Sequence, residues 1–419
     1  MNSGKQVIVI GAGIAGLSTA YYLNKAGIDV TVLDKGDGEN NCSYGNAGMV
    51  VPSHIIPLAS PGVISQGLRW MLKAASPFYI RPRLNRELIR WGWEFKRAST
   101  RKHVEESVPV LRDLLLANRE LLIALEEEEN LDFGFQRNGL FMLCKTEQGL
   151  EEEAGVADMA NSAGIPATVL SAEEIRNMEP NIEMDIMGGV YFPRDAHFHP
   201  GSLMNQLKAL LRARGVTFEF NTEATGLHRA RNNVKGVVTS GGRIIEGSEV
   251  VICTGAWSAS FARAIEVNLP VQAGKGYSIT IPEPRRLPQI CALLAEAKVS
   301  MTPMMGHLRF GGTMEIVGTD TTINQVKLHA LKKSVCSYFP EYTLNDFDGR
   351  ETWVGLRPVS PDGLPYVGAI DRYDNVYTST GHSMMGMSLG LASGRIVSEQ
   401  ITGGRSELAH PMIDPNRYE

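Results

Sequence analysis

The stretch Val7-Ile-Val-Ile-Gly-Ala-Gly-Ile-Ala-Gly16 decides how this chain folds. Four apolar residues in a row predict a buried strand, and Gly11-x-Gly13-x-x-Gly16 follows at once, opening a helical run from Leu17 to Ala26. A second strand, Asp29-Val-Thr-Val-Leu33, ends in Asp34. Gly11 makes the tight turn, Gly13 lets backbone approach a pyrophosphate, and Gly16 lets helix pack on strand. Ile14 and Ala15 lie at the helix N-terminus, where free N–H groups and the helix dipole favour phosphate. The carboxylate of Asp34 suits the hydroxyls of an adenosine ribose. Strand, glycine turn, helix, second strand and acid stand in the order a dinucleotide site requires.

Outward from this unit, bulk composition excludes several classes. The 419 residues suffice for two or three domains, and 43% hydrophobic with 21% charged content is ordinary for a globular protein. A net charge of −5 gives no general reason to expect nucleic-acid binding. Cys42, Cys144, Cys253, Cys291 and Cys336 are scattered without a C-x-x-C pair, which reads as reduced thiols and no zinc site. The N-terminus runs straight into the first strand, so no signal peptide is expected, and no apolar run approaches a membrane span. A cytoplasmic location follows as the expectation. Charge is uneven, however. Between Ser65 and Lys102 stand ten Lys/Arg and two acids, interleaved with Trp70, Phe78, Tyr79, Trp91, Trp93 and Phe95. That segment resembles an amphipathic surface for anionic lipid; the plain alternative is a helical hairpin with its tryptophans on the core.

Periodicity places further elements. Residues 60–130 read as mostly helical, with Glu126 to Glu129 a solvated helix end. Phe133 to Cys144 alternates around Asn138-Gly139, a hairpin signal. Ser171-Ala-Glu-Glu174 is a capping box. Pro200 starts a helix that Gly215 stops, Glu249 to Cys253 is a buried strand, and Gly381-His-Ser-Met-Met-Gly386 opens a last helix to Ile401. Nucleotide-type elements thus lie at the start, near 200–258, and at the end. The expected fold class is α/β: a discontinuous Rossmann-like domain (1–60, 195–260 and 350–419) with an inserted α+β substrate domain (61–194 and 261–349) on a mostly antiparallel sheet.

Six motifs in order carry a more specific likeness: Gly11-x-Gly13-x-x-Gly16, Ser43-Tyr-Gly-Asn-Ala-Gly48, Cys253-Thr-Gly-Ala-Trp257, Lys275-Gly-Tyr-Ser-Ile279, Gly355-Leu-Arg-Pro-x-x-Pro-Asp-Gly363 and Gly381-His-x-x-x-Gly386. With these the chain resembles, nearly end to end, the amine-oxidising flavoproteins that include D-amino-acid oxidase, glycine and sarcosine oxidases and, above all, bacterial D-amino-acid dehydrogenases. The resemblance implies FAD. It puts Asp34 and Lys35 at the adenosine ribose, and Ala224 at the adenine. It puts Ser43, Asn46, Ala47, Gly48 and Met49 along the pyrophosphate and flavin edge, and Thr254, Gly255 and Ala256 under the ribityl chain. Gly381, His382, Met384, Met385, Gly386 and Met387 would bring a helix N-terminus to the pyrimidine end, where reduced flavin is negative.

It also implies hydride transfer from an amino-acid Cα to flavin N5. The substrate carboxylate then needs a cation, ideally an Arg fork. Arg309, in Leu308-Arg-Phe-Gly-Gly312 on an expected strand, and Arg357, in a loop just before Pro358 where it could face either flavin or substrate, are the candidates, and Tyr277 could add a hydroxyl. A surface salt bridge is the plain alternative for each arginine. His54 and His382 are expected to line the site as proton acceptors or hydrogen-bond partners. His197-x-His199 lacks partners for a metal, so no metal is expected. Where the sarcosine-oxidase branch places a flavin-linking cysteine this chain has Gly355, so FAD is expected to be non-covalent. The dehydrogenase branch passes electrons to a quinone or other acceptor at the membrane, and residues 65–102 are the expected peripheral contact. The expected substrate is a D-amino acid or a cyclic relative such as D-proline or hydroxy-D-proline. Two alternatives stay open here: a glycine- or sarcosine-type oxidase releasing peroxide, and a flavin subunit of a larger electron-transfer assembly.

Overall fold

The computed structural model describes residues 4–419, so the first three residues of the expected 1–60 segment lie outside the described residues. Strand Gln6–Ile10 sits at the centre of a six-stranded sheet. Asp29–Leu33 and Glu249–Ile252 flank it in parallel, and Thr217–Glu219 and Val376–Thr380 extend the parallel array on either side. Tyr366–Ala369 closes one edge antiparallel to Val376–Thr380. A central parallel strand is covered on both faces, which explains its unbroken apolar run. Val7 and Val9 enter a core with helices Ile14–Lys25, Pro200–Ala213 and Gly386–Ile401, whereas Ile8 and Ile10 enter a core beneath the meander Ala224–Ala230, Asn233–Thr239 and Ile244–Glu246. Helices Ile14–Lys25 and Gly386–Ile401 approach closely: a Cβ on Gly394 would lie 2.6 Å from the Ser18 carbonyl carbon.

The second sheet is mostly antiparallel. In order it runs Thr352–Val359, Gln272–Ile281, His307–Ile316, Val299–Met304, Cys291–Leu294, Leu140–Cys144, Gly188–Phe192 and Thr168–Ser171, with Phe78–Ile80 joining His307–Ile316 in parallel. Side chains alternate across it. Tyr277, Ile279, Phe310 and Phe141 face a core shared with helix Gln325–Tyr338. Ser278, Thr280 and Arg309 take the other face, toward the loop that follows Asp34. The α/β class with its Rossmann-like unit and largely antiparallel second sheet is therefore the observed architecture.

Several local expectations change. Strand Thr352–Val359 pairs with Gln272–Ile281, so the chain rejoins the six-stranded sheet only at Tyr366–Ala369, not at 350. Helix Arg101–Glu129, inside the expected insertion, buries Leu111, Leu114, Leu115, Leu122 and Leu125 in the core of the six-stranded sheet. Its buried Asn118 donates to Met387 O and accepts from the Leu391 and Ala392 N–H groups, tying it to the last helix. Asn138-Gly139 is no hairpin turn: Gln136 bridges to His197, and the Gly139 N–H donates to Asp195 O. The Glu126–Glu129 end is less solvated than its charges suggest, because Glu129 accepts from Tyr21 and Arg214. The last helix begins only at Gly386; Gly381 and Ser383, with φ of +77° and +51°, belong to the loop before it. Among the described residues no helix is long and apolar enough to cross a membrane.

Candidate active site

A cavity of about 540 Å³ runs along the carboxyl ends of the parallel strands and over the seam between the two sheets. Its lining includes Asp34, Lys35, Glu223, Ala224 and Trp257, and also Gly11, Gly13, Ile14, Ala15 and Ser43. Asn46, the Thr254-Gly255-Ala256 turn, Arg357, His382, Gly386 and Met387 line it as well. These residues, far apart in sequence, are the ones the fold brings together.

The glycines divide by task. Gly11 has φ +112°, and a Cβ there would collide with Cys253 O; one on Gly16 would collide with Gly11 O. Gly16 accordingly packs helix on strand and does not line the cavity. Gly13 differs: a Cβ there would meet only Ser43 Oγ, at 3.5 Å. No side chain caps helix Ile14–Lys25 from Gly13, and the Ile14 N–H donates to Ser43 Oγ at 3.0 Å. The Asp34 carboxylate accepts from Ala12 N–H at 2.7 Å and Gly36 N–H at 2.8 Å, which shapes the turn around the cavity. Lys35 lies with Nζ 3.5 Å from the centre of the Trp257 ring, and burial lowers its pKa. An open-faced helix N-terminus, a glycine floor and an acid at the strand end are a fit for the pyrophosphate and adenosine of FAD. Ser383 Oγ is buried with no partner among the described residues, a polar group free for a ligand in the same cavity.

The two arginines part company. Arg309 is buried, and desolvation pulls its pKa down to about 10. Its Nε–H donates to Thr280 Oγ1 at 2.9 Å, and Nη1 donates to Tyr44 O at 2.9 Å and Asn46 O at 2.7 Å. It pins the Ser43–Gly48 loop from behind and does not line the cavity. Arg357 does line it. Burial pulls its pKa to about 10 as well, yet its one hydrogen bond among the described residues goes from Nη1 to Thr313 O at 2.8 Å, and no carboxylate pairs with it. Donors left over on a half-buried guanidinium are what an incoming carboxylate needs.

Tyr277 is displaced from its expected place by strand alternation. Its hydroxyl sits on the far face of the sheet, donating to Glu315 and accepting from the Asn324 N–H. His54 is half-buried beside Ser53, outside the cavity, and desolvation lowers its pKa to about 4. His382 lines the cavity; burial lowers its pKa to about 4, so it is neutral at physiological pH, with Nε2 2.9 Å from Ser393 Oγ. Ala47, Gly48 and Met49 turn away, Met49 pairing with His197 and Gly48 sitting against Phe198 O. Gly381, Met384 and Met385 also lie outside the lining, and Met384 is 49% exposed. His199 caps helix Pro200–Ala213 by accepting the Ser202 N–H. Sequence reasoning passed over Cys42, Glu223, Trp257, Trp353 and Ser383, all in the lining. Trp257 and Ser383 belong to the quoted motifs, Cys42 adjoins one and Trp353 stands two residues before another, so closeness to a motif was the available signal. Trp353 lies against both Gly45 and Gly355 and donates from Nε1 to Asn40 Oδ1 at 3.1 Å.

Comparison with known families bears directly on this cavity. The model of the family described as FAD dependent oxidoreductase (DAO) matches residues 6–400. The chain belongs to that family. It is 30% identical over 419 residues to a D-amino acid dehydrogenase of Methylobacterium sp. (strain 4-46), with 99% of each chain covered. It is 31% identical over 421 residues to a D-amino acid dehydrogenase of Allorhizobium ampelinum, covering 99% of this chain and 98% of the other. In fold it is similar to the crystal structure of glycine oxidase from Geobacillus kaustophilus, with TM-score 0.77, 22% identity, and 99% and 100% of the chains covered. The FAD-dependent oxidoreductase assignment and the cavity's nucleotide-shaped floor agree.

Proposed function

We propose that the chain is an FAD-dependent dehydrogenase that oxidatively deaminates a D-amino acid, or a cyclic relative such as D-proline or hydroxy-D-proline. The observation that carries this reading is Arg357: a cavity-lining, desolvated guanidinium with one carbonyl partner and no acid. When bound, non-covalent FAD supplies the hydride acceptor for Cα and hands electrons on to a quinone or other acceptor. The chain's own residues do the rest. Arg357 holds the substrate carboxylate and so fixes Cα relative to the cavity floor. Gly13, Ile14 and Ser43 hold the pyrophosphate; Asp34, Lys35 and Ala224 hold the adenosine. Neutral His382 and the start of helix Gly386–Ile401 stand at the flavin end, where helix N–H groups stabilise negative charge.

The same reading gives the basic segment a task. Ile64, Leu68 and Leu72 are spaced four apart along and just past helix Val63–Met71, and Leu84, Ile89 and Trp93 follow on and before the outer face of helix Arg86–Ala98; all six are exposed. Exposed Arg69, Lys73, Arg86, Arg90 and Lys96 accompany them. Apolar side chains among cations fit an anionic membrane surface, which places a quinone acceptor within reach. Glu at Arg69, Arg86 and Arg90 should abolish flotation with anionic vesicles, and unchanged flotation would remove this contact from the proposal.

The main test is anaerobic. The yellow protein is mixed with D- and L-amino acids, D-proline, hydroxy-D-proline, glycine and sarcosine while the flavin band is followed. Bleaching by D-amino acids, with slow recolouring in air, is expected. Fast recolouring with stoichiometric peroxide would make the protein an oxidase, and no bleaching by any amine would sink the reading.

A further inference from the structure

Arg357 is lightly held. Its support is the Thr313 carbonyl, and a Cβ on Gly276 would collide with the guanidinium, so the strand beneath is cut back to make room. Thr313 has φ +67°, a left-handed conformation that a β-branched residue accepts only under strain. The strain sits where the pairing of Gln272–Ile281 with His307–Ile316 slips between Lys275 and Tyr277. A strained carbonyl keeps its place only when its surroundings over-determine it.

Those surroundings lead outside the cavity. Met314, next in the chain, is buried in a small apolar cluster with Trp91, Ile316 and Val359. Trp91 comes from helix Arg86–Ala98, is 3% exposed, and stacks on Phe95 with ring centres 5.1 Å apart. Its Nε1–H donates to Val359 O at 2.9 Å. Val359 ends the strand that carries Arg357 and also bridges to His382, while Pro358 O accepts the Ser383 N–H at 2.9 Å. One indole therefore braces Arg357 in two ways: the strand end through a hydrogen bond, and the Thr313 carbonyl through the apolar cluster it shares with Met314.

We propose that Trp91 is a positioning residue for substrate binding, holding Arg357 and the His382 turn in register across the seam between the sheets. This rests on the reading of Arg357 as the carboxylate site. Trp91→Phe keeps an apolar ring and removes the N–H. In the holoenzyme, KM for the amino acid should rise about tenfold, the equivalent of one well-placed hydrogen bond, with kcat within about twofold. The Kd of propionate, a carboxylate without an amine, should rise in parallel when read from perturbation of the flavin spectrum, while FAD content stays at the wild-type level. Met314→Ala removes the other brace and should show the same split, and it carries the test should Trp91→Phe fail to fold. Unchanged KM and propionate Kd in the folded variants overturn the proposal even if their melting temperatures fall. Arg357→Met separates the two ideas. If it abolishes propionate binding while Trp91→Phe does nothing, the positioning role alone is wrong; if it leaves propionate binding intact, the carboxylate assignment is wrong.

Discussion

Replacing Arg357 by Met should move activity and stability in opposite directions. The carboxylate of a bound amino acid would lose its cation, and truncating one partner of a buried charge pair costs about 2–5 kcal/mol. At about 1.4 kcal/mol per decade this is roughly a 30- to 5000-fold loss in kcat/KM. The contact is made equally in ground and transition states, so most of the loss should fall on KM. Stability has the other sign. Burial pulls the guanidinium pKa from 12.5 to about 10, so the folded state disfavours the cation at neutral pH. Each unit is about 1.4 kcal/mol, which bounds the penalty near 3 kcal/mol; the cavity-facing side remains hydrated and cuts this to about 1–2. Met, of similar length and apolar, removes that penalty and gives up one hydrogen bond to Thr313 O. The apoprotein should therefore melt slightly higher while catalysis collapses. Steady-state kinetics with a soluble acceptor and thermal melts of the apoprotein measure the two arms. A variant that keeps kcat/KM within about threefold refutes the carboxylate role. One that loses activity only because its melting temperature drops several degrees shows that Arg357 is a structural side chain.

Gly13→Ala should fold, because its Cβ meets only Ser43 Oγ at 3.5 Å, yet weaken FAD binding at least about tenfold by obstructing the pyrophosphate; Gly11→Ala, at φ +112° and against Cys253 O, should fail to give folded protein at all. Equilibrium dialysis of FAD beside circular dichroism separates the two. Arg309→Leu should raise the FAD dissociation rate more than the substrate KM, because it releases Tyr44 O and Asn46 O; a KM rise alone would return the carboxylate to Arg309. Buried Asp195, which accepts from the Ser53 N–H and hydroxyl, is pushed by desolvation from 3.8 up to about 7. The folded state then holds a proton the unfolded state releases, so Asp195 costs stability increasingly as pH rises from about 4 to about 7. Asp195→Asn should raise the melting temperature at pH 8 and leave it little changed at pH 4; an equal shift at both would show that the carboxyl does not titrate there.

The nucleotide half was legible because its signals are local. A buried strand, three glycines and an acid follow one another within residues 7–34, and each has one task that only its residue type performs. The substrate face was legible in class only. Its residues lie on strands, where a one-residue offset reverses a side chain, and nothing near Tyr277 in the sequence says which face of Gln272–Ile281 meets the cavity. The register Thr280↔Arg309 and Ile279↔Phe310 does say it, and that pairing is set by chain far away. The two arginines failed to separate for a related reason. Arg309 reads as a strand residue before glycines and Arg357 as a loop residue before Pro358, although both lie on strands; what distinguishes them is how many donors other groups already occupy, a property of tertiary contact. Helix Arg101–Glu129 likewise shows a clean leucine period, but a period names a buried face and not the core that receives it.

The position of the seam decides how the parts of the cavity move together. The Ser43–Gly48 loop leaves the six-stranded sheet and keeps bonds to that side, from the Ile14 N–H to Ser43 Oγ and from the Tyr44 hydroxyl to Asn205 Oδ1, yet several of its hydrogen bonds run to the other sheet. Ser278 Oγ donates to Gly45 O at 3.0 Å, Arg309 donates to Tyr44 O and Asn46 O, and Cys42 exchanges contacts with Leu356 through Sγ. Just before the loop, Asn40 accepts from Trp353. The loop is thereby stapled to the sheet that carries Arg357, while the Gly11–Gly16 turn and helix Gly386–Ile401 stay with the other. On the proposed reading, a ligand lying across both would be held at its phosphates where the loop meets the Gly11–Gly16 turn and along its far edge by the sheet that carries Arg357. The distance between Arg357 and that edge would then be set within one sheet and would survive small rocking between the two. Had the loop been bonded to its own sheet alone, every such rocking motion would have altered the separation of substrate and cofactor, and an enzyme that relies on near-contact geometry tolerates little of that.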